Sequence, residues 1–241
     1  MVKNRLMNPL DHIIDAVSQA RRAGARPLVV LDLDSTIIQT AHRHERILRE
    51  FAAAFGPTWP ALTAAVADLS ASEFGWTVSG PLRRRGLDGP PELLSTLRRY
   101  WGERFFDGDY LSVDTAYPGA VDYVNRLLSA GALIAYVTGR PAPTMATQTL
   151  DSLMKLGFPA CIPQVSLTLK PRVNMNDLAY KQGVCAQLAQ TGDVIATFEN
   201  EPGNANAFRA AFPDAIHVLM DTVHSPGAPA PHPALKVVKG F

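Results

Sequence analysis

The sequence predicts an α/β protein in which a parallel sheet is interrupted, after its first strand, by an insert made of helices. From Pro118 to about residue 220, short apolar segments alternate with helical segments of roughly 10–15 residues, a rhythm typical of parallel strands joined by right-handed crossovers. One more apolar segment, 27–31, precedes this region. Residues 41–114 show no convincing strand pattern, so we expect a separate helical module there.

The composition is that of a folded globular chain. Its 241 residues fit one or two domains. Hydrophobic residues make up 47% and charged residues 19%, and the mean hydropathy is +0.01, which excludes a disordered chain, a fibrous repeat and a coiled coil. The formal net charge is only +1, so we expect no nucleic-acid or membrane partner held by long-range attraction. An anionic ligand would have to be held by a local arrangement of side chains.

Three features predict a cytoplasmic location. The N-terminal segment lacks the continuous apolar stretch of a signal peptide, and no apolar segment approaches the ~18 residues that a membrane span needs. The only cysteines, Cys161 and Cys185, fit neither a disulfide framework nor a metal motif, and we expect both to be buried thiols. The sequence does not predict the oligomeric state.

The predicted elements of the α/β portion start with a helix over 8–23, ended by Gly24, and a strand over 27–31. The strand is rich in branched apolar residues, as strands buried on both faces of a parallel sheet are. Downstream, the alternation predicts helices at 119–130, 143–156, 178–190 and 203–211 and strands at 132–137, 162–168, 193–198 and 215–220. A surface loop is expected over the Pro- and Ala-rich residues 225–234.

Apolar periodicity in the insert predicts helices at 42–55, 60–70 and 91–104, separated by loops that contain Gly and Pro. We therefore expect a core domain of residues 1–40 plus 115–241 and a helical domain of residues 41–114, the helical insert. Trp76 and Trp101 are expected to pack in the core or the insert. His42 and His44 could line the cleft, and Arg83, Arg84 and Arg85 could grip an anionic substrate, but we favour solvated positions for all five.

Two carboxylates, Asp32 and Asp34, follow the first buried strand directly. Ligands of open α/β sheets bind outside the carboxyl ends of the strands, so this position is informative. Asp107 and Asp109 have the same spacing without a preceding strand, and we interpret them as a turn. A helix-capping turn is the alternative for the first pair, but it leaves two charges beside an apolar strand unexplained.

Further polar groups follow the later strands. Thr138 directly follows the predicted strand 132–137, and Gly139 comes next, where we expect the backbone to turn sharply. The Thr138 hydroxyl could donate to a phosphate oxygen or cap the next helix. Lys181 lies near the start of a helix, and the following strand ends in the acidic segment Phe198-Glu-Asn-Glu-Pro-Gly-Asn204.

This ordered set of Asp-x-Asp-x-Thr, strand-terminal Thr, Lys and strand-terminal acid resembles that of the haloacid dehalogenase-like hydrolases. The resemblance covers residues 27–40 and 115–220, and the helical insert takes the position of a type 1 cap. It implies a Rossmann-like three-layer α/β/α core. It also implies that Asp32 is the nucleophile that forms an aspartyl-phosphate, and that Asp34 is the general acid and base.

The resemblance further implies that Thr138, Gly139 and Lys181 hold the phosphate, and that Mg²⁺ is held by Asp32, the Asp34 carbonyl and an acid of the last motif. That motif departs from the family pattern, because Glu199 stands where an aspartate is usual and Gly203 where a second acid is. We favour Glu199 as the metal ligand. Other positions remain open: Asn200, Glu201 and Asn204 as ligands, and Lys170 as the lysine.

These residues predict a Mg²⁺-dependent phosphatase that acts on a small phosphorylated substrate. Phosphoryl transfer needs mainly positioning and neutralised charge, and the set supplies both. A sugar-phosphate mutase of the same family would use the same core residues. A catalytically silent scaffold that binds a partner is the alternative from a different class, favoured only by the atypical last motif.

Overall fold

The computed structural model describes residues 8–88 and 91–241. The strands among these residues are β1 (Pro27–Leu31), β2 (Ile38–Gln39), β3 (Thr115–Ala116), β4 (Leu133–Pro141), β5 (Val165–Lys170), β6 (Asp193–Glu199), β7 (Ile216–Met220) and β8 (Lys236–Val238). Six of them form one parallel sheet in the order β5-β4-β1-β6-β7-β8. The first strand is therefore central, and its carboxyl end lies between those of β4 and β6.

The helices of the described residues are α1 (Pro9–Arg22), α2 (Ala41–Phe55), α3 (Ala61–Ala65), α4 (Gly80–Arg84), α5 (Pro91–Phe105), α6 (Ala120–Ser129), α7 (Ala142–Lys155), α8 (Asp177–Thr191) and α9 (Pro202–Ala211). Two 3-10 segments, Ala71–Glu73 and Gly108–Val113, accompany them. Asp107 caps the second of these, accepting from the Asp109 amide at 3.0 Å, so the predicted turn is confirmed.

Helices cover both faces of the sheet. Alternate side chains of β1 point to opposite faces. Val29 and Leu31 belong to a core shared with α1, α6 and α7, whereas Leu28 and Val30 belong to a second core shared with α8 and α9. The sheet thus forms the middle of three layers, which confirms the α/β/α architecture expected from the sequence.

The helical insert has a hydrophobic core of its own. Its buried members all lie between Leu48 and Leu97, and α2 and α5 supply the most contacts. Leu69 and Phe74, which lie on either side of the 3-10 segment Ala71–Glu73, complete this core. The separate core is consistent with a helical domain at 41–114, although the division of the chain into two domains stays a prediction.

Some elements differ from those expected. The helix predicted over 60–70 is only Ala61–Ala65, and α4 occupies a region for which no element was predicted. The strands β2 and β3 pair antiparallel at the two ends of the helical insert, Ile38 with Ala116 and Gln39 with Thr115. Strands of two or three residues carry too little periodicity to be seen in a sequence. Residues 89–90 of the predicted 86–91 loop lie outside the described residues.

Two further expectations were wrong. Strand β4 continues through Gly139 to Pro141, with a register irregularity after Thr138, so the backbone does not turn at Gly139. Cys161 is exposed and Cys185 is half-buried, so neither is the buried thiol that we expected. Among the helices of residues 8–88 and 91–241, none is both long and apolar enough to cross a membrane. The cytoplasmic location stays a prediction.

Candidate active site

The turn after β1 brings its two carboxylates to the same edge of the sheet. The Asp32 amide donates to the Phe198 carbonyl at 3.0 Å, which extends the β1–β6 pairing by one residue. The Leu33 carbonyl then accepts from the amides of residues 36–38 at 2.9–3.1 Å, and Ser35 has a left-handed φ of 61°. This tight turn leaves Asp32 and Asp34 lining one cavity of about 200 Å³.

A buried lysine joins the carboxylates of two neighbouring strands. The Lys181 ammonium donates to Asp32 Oδ1 at 2.6 Å, to Glu199 Oε2 at 2.9 Å and to the Val137 carbonyl at 2.7 Å. Asp32 directly follows β1, Glu199 is the last residue of β6, and Val137 lies within β4. Helix α8 therefore holds the cation over the centre of the sheet edge, where the sequence predicted a positive charge.

The remaining oxygens of this cluster also have donors. Asp32 Oδ2 accepts from the Thr36 hydroxyl at 3.0 Å, and Glu199 Oε1 accepts from the Asn204 amide at 3.1 Å. Because these contacts fix both oxygens of each carboxylate, Asp32 and Glu199 are held in set orientations. A charge shared this way in a buried site is preorganised for a reaction that builds up negative charge.

Burial and the nearby Glu199 raise the pKa of Asp32 to about 7, although Lys181 opposes the shift. Burial alone would lower the pKa of Lys181, but Asp32 and Glu199 outweigh it and the pKa is raised. Lys181 is therefore a fixed cation.

Asp34 lies in a different environment, between two arginines. Arg140 donates to Asp34 Oδ1 through Nη2 at 2.5 Å, and its Nε lies 3.1 and 3.2 Å from the two carboxylate oxygens. Arg43, from the helical insert, donates through Nη2 at 3.2 Å. Burial works against ionisation here, yet Arg140 and Arg43 hold the pKa of Asp34 well below its usual range. In this arrangement Asp34 is a fixed carboxylate.

The two arginines also share Asp114, at the far end of the helical insert. Arg43 Nε and Arg140 Nη2 each lie 3.0 Å from an Asp114 oxygen. All these side chains are fully buried except Asp34, which opens to the cavity. The Arg43–Arg140–Asp114 group was not predicted. Arg140 could have been suspected, because it lies two residues after Thr138 on the same strand, but no sequence signal pairs Arg43 with Asp114.

Thr138 and Gly139 line the same cavity as Asp32. Thr138 Oγ1 accepts from the Arg140 amide at 3.2 Å, whereas α7 starts later, after Pro141, so Thr138 does not cap that helix. A Cβ added to Gly139 would lie 3.0 Å from Asp177 Oδ2. The glycine therefore allows the close approach of α8.

The rival residues have other partners. Lys170 donates to Asp177 at 2.5 Å and makes no contact with Asp32 or Glu199. Glu201 accepts from the Ser225 amide at 2.8 Å and from its hydroxyl at 2.6 Å, which ties down the loop after β7. Asn200 Oδ1 faces the Thr36 hydroxyl at 3.3 Å. Of the two lysines, Lys181 is therefore the one that contacts Asp32. Among the possible metal ligands, Glu199 is the one that shares this lysine with Asp32.

The oxygen atoms around Asp32 are suitable ligands for a hard divalent cation. Mg²⁺ prefers carboxylate and carbonyl oxygens and keeps several waters. A β-bridge pairs Asp34 with Ile38, and its two hydrogen bonds use the Leu33 carbonyl and the Ser35 amide. The Asp34 carbonyl takes no part in this bridge. When ionised, Asp32, Glu199 and Lys181 leave one negative charge uncompensated. The described part of the chain holds no cluster of three or more His, Cys, Asp or Glu side chains, so such a site would rely on carbonyl and water oxygens as well.

Aromatic residues of the helical insert form the opposite wall of the cavity: His44, Trp76, Trp101, Phe105 and Phe106. Trp101 packs against the core of the helical insert, as expected, and also lines the cavity. His44 is buried on the cavity, so the solvent-facing position that we favoured for it was wrong, and Trp76 is half-exposed there instead of packed. His42 instead lies 3.7 Å from Glu45 in an outer groove. Arg85 pairs with Glu73 and Asp68 away from the cavity, as a solvated charge does.

Comparison with known proteins finds similarity in structure and not in sequence. No protein-family profile matches the chain, and no curated protein sequence matches it. The Protein Tyrosine Kinase A of Mycobacterium tuberculosis superposes with a TM-score of 0.55 at 16% identity, covering 90% of this chain and 95% of that one. A Bacteroides fragilis protein described as a haloacid dehalogenase-like hydrolase gives 0.51 at 10% identity, covering 90% and 98%.

A class C acid phosphatase from Bacillus anthracis, solved with tungstate bound, gives a TM-score of 0.43 at 15% identity. The alignment covers 85% of this chain and 66% of that protein, so the chain spans just under two thirds of its length. The first two superpositions establish the fold. The chain shares the fold of these two proteins, a Rossmann-like α/β/α sandwich, which is the architecture that the resemblance implied.

Proposed function

We propose that the protein is a Mg²⁺-dependent phosphomonoesterase that works through an aspartyl-phosphate on Asp32. The observation that carries the proposal is the contact of Asp32 with Lys181 at 2.6 Å, at the carboxyl end of the central strand and beside an open cavity. A buried carboxylate that is already paired with a fixed cation can approach an anionic phosphate. Electrostatic repulsion would otherwise prevent that approach.

In the first half-reaction, an Asp32 carboxylate oxygen attacks phosphorus. The new bond joins that oxygen to phosphorus, and the bond from phosphorus to the alcohol oxygen breaks with its electron pair on the alcohol. The alcohol oxygen then takes a proton. In the second half-reaction, water attacks phosphorus, loses a proton, and releases Asp32 and inorganic phosphate.

Lys181 and Thr138 support these steps from fixed positions. The Lys181 ammonium contacts both Asp32 and Glu199, so it offsets the negative charge that a phosphate adds to the site. The Thr138 hydroxyl lines the cavity, and because its oxygen accepts from the Arg140 amide its proton can be donated to a phosphate oxygen. Gly139 leaves the backbone beside it open to the cavity.

The metal would be held by the Asp32 carboxylate, the Asp34 carbonyl and Glu199. When bound, Mg²⁺ supplies positive charge to the phosphate oxygens. Glu199 is better placed for this role than Glu201, because Glu201 is bound to Ser225.

We assign the proton transfer to Asp34, which lies two residues after the nucleophile and opens to the cavity. Its two arginine partners stabilise the carboxylate and oppose protonation. Proton transfer therefore requires Asp34 to separate from at least one guanidinium group. Arg43 belongs to the helical insert, so a movement of the insert away from the sheet would remove that contact. This gives the insert the role of a cap.

The test compares Asp32 with Asp109, which belongs to the other Asp-x-Asp segment of the sequence. Phosphate release from 4-nitrophenyl phosphate is measured with and without Mg²⁺ for the wild type, Asp32→Asn and the control Asp109→Asn, whose side chain is exposed in the 3-10 segment. We expect the Asp32 variant to lose turnover by at least about a thousandfold with unchanged circular dichroism, and the control to keep it. Activity that survives in Asp32→Asn, or a wild type without activity in Mg²⁺, would refute the proposal and support a silent scaffold.

A further inference from the structure

We propose that the cavity takes phosphomonoesters whose organic part is a flat, uncharged aromatic ring bearing a hydrogen-bond acceptor. This inference deepens the proposed function and rests on it for the phosphate subsite. The carrying observation is that the helical insert faces the Asp32 cluster with an aromatic wall, His44, Trp76, Trp101, Phe105 and Phe106, across a cavity of about 200 Å³.

The wall is built from stacked rings. His44 and Trp101 lie edge to edge and parallel, with ring centroids 5.8 Å apart and an interplanar angle of 1°. Phe105 stacks on His44 at 4.9 Å and on Trp101 at 4.7 Å. Phe106 meets Phe105 edge-on at 5.2 Å. Trp76 lies on the same cavity with 46% of its surface exposed, which is unusual for so large an apolar side chain. An aromatic ring of a ligand would extend this stack and cover Trp76.

Two N–H groups of this wall have no partner among the described residues, the Trp76 indole N–H and one imidazole N–H of His44. The Trp101 indole N–H donates to His44 Nδ1 at 3.0 Å, so the neutral imidazole carries its proton on Nε2. Burial, and to a smaller extent the positive charge of Arg43, lowers the pKa of His44 to about 3, which keeps the ring neutral. Within residues 8–88 and 91–241, every fully buried side-chain nitrogen and oxygen has a hydrogen-bond partner, so the unpaired Nε2 of His44 must be accessible. Because His44 lines the cavity, we infer that Nε2 donates to a ligand's acceptor atom there.

The aromatic wall itself carries no charged side chain. Two other carboxylates that line the cavity are paired with cations, Asp177 with Lys170 and Asp34 with Arg43 and Arg140. A charged organic group would therefore find no counter-charge on this wall. A sugar would need several hydrogen-bond partners for its hydroxyls, whereas the wall offers mostly aromatic carbon and the N–H groups of His44 and Trp76, with no acceptor. These features argue against the sugar-phosphate mutase alternative.

The first experiment measures binding without chemistry. Benzylphosphonate and cyclohexylmethylphosphonate have no P–O–C bond to hydrolyse and differ only in whether the ring is flat and aromatic. Their dissociation constants are measured by calorimetry with Mg²⁺ for the wild type, Trp76→Leu and the control Trp59→Leu, a tryptophan of the insert that lies outside the cavity. We expect about two- to tenfold tighter binding of the benzyl compound, lost in Trp76→Leu and kept in Trp59→Leu.

A second comparison tests the acceptor. The three pyridylmethylphosphonates place a ring nitrogen at different positions. We expect at least one of them to bind about two- to tenfold more tightly than benzylphosphonate, and we expect His44→Phe, which keeps a flat ring but removes the N–H, to abolish that gain. If no pyridyl isomer exceeds benzylphosphonate, the acceptor part of the inference is wrong.

Hydrolysis then separates this inference from the proposed function. Benzyl phosphate and cyclohexylmethyl phosphate are both esters of primary alcohols, so their leaving groups are closely matched. A benzyl preference in binding with no phosphate release from either ester would support the aromatic site and refute the phosphatase. Phosphate release with equal binding, or with tighter cyclohexyl binding, would overturn the aromatic site and leave the phosphatase standing.

Discussion

The two walls of the cavity are built on opposite principles. The sheet side consists of charged groups at strand ends, each held by a partner: Asp32 by Lys181, and Asp34 by Arg140. The insert side consists of aromatic rings and one neutral imidazole, with Trp76 half-exposed. Charges on a rigid sheet suit a reaction that needs fixed electrostatics, and rings on an insert suit recognition. The difference suggests that the chemistry belongs to the sheet and the substrate choice to the helical insert.

The two walls are joined by one buried ionic group, Arg43, Arg140, Asp34 and Asp114. Arg43 and Asp114 lie near the two ends of the helical insert, and Asp34 and Arg140 follow strands of the sheet. Any separation of the walls must break some of these contacts. This group is therefore the place where the contrast between the walls can be tested most strongly.

The largest effect is expected from breaking that group. Arg43→Met keeps the apolar volume but leaves Asp114 and Asp34 with one arginine, so the free energy of unfolding should fall by about 3–5 kcal/mol. The matched control is Arg46→Met on the same helix, whose half-exposed pair with Glu50 should contribute less than about 1 kcal/mol. Urea unfolding measures both variants. Equal losses would show that the buried group does not hold the walls together.

A smaller effect on catalysis is expected from the lysine. Lys181→Ala should cost about 2–4 kcal/mol in kcat/KM, because it removes one preorganised donor from Asp32 and Glu199. Lys170→Ala is the control, since it is an equally buried lysine whose partner Asp177 lies outside the Asp32 cluster. Steady-state kinetics on folded variants decide between them. If Lys170→Ala loses most of its kcat/KM while Lys181→Ala stays near normal, the two lysine roles are reversed.

The smallest effect is expected on metal dependence. Glu199→Gln should raise the Mg²⁺ concentration for half-maximal activity by about tenfold or more while changing saturating turnover less, because the lost charge acts first on the cation. Glu201→Gln should leave the metal titration unchanged, since Glu201 contacts Ser225. If only the Glu201 variant needs more Mg²⁺, the ligand assignment moves to Glu201.

The sheet side of the cavity could be predicted from the sequence and the insert side could not. Asp32, Thr138 and Glu199 each follow an apolar strand, and parallel strands bring their carboxyl ends to one edge. Lys181 followed from its place at a helix start before the acidic strand. A short stretch of sequence around each of these residues is enough to predict its position at the edge of the sheet.

The remaining groups depend on contacts between distant segments. Arg43 and Asp114 are 71 residues apart, and they meet only because the short β2–β3 pair brings the two ends of the insert together. The role of His44 depends on Trp101, 57 residues away, whose N–H fixes the imidazole tautomer. Gly139 was expected to form a turn because a glycine after a strand usually does, whereas here it makes room for Asp177. Spacing along a single chain does not carry this information.

The central claim is that Asp32 carries the phosphoryl group, and it can be tested by trapping the intermediate. Asp34→Asn should slow hydrolysis of the aspartyl-phosphate more than its formation from 4-nitrophenyl phosphate, because a good leaving group needs no proton while the attacking water must lose one. The variant is mixed with substrate and Mg²⁺, quenched in acid, and analysed by mass spectrometry of intact protein and peptides. The account predicts one added phosphoryl group on Asp32, removed by hydroxylamine. A phosphoryl group on another residue, or turnover without any phosphoenzyme, would contradict it.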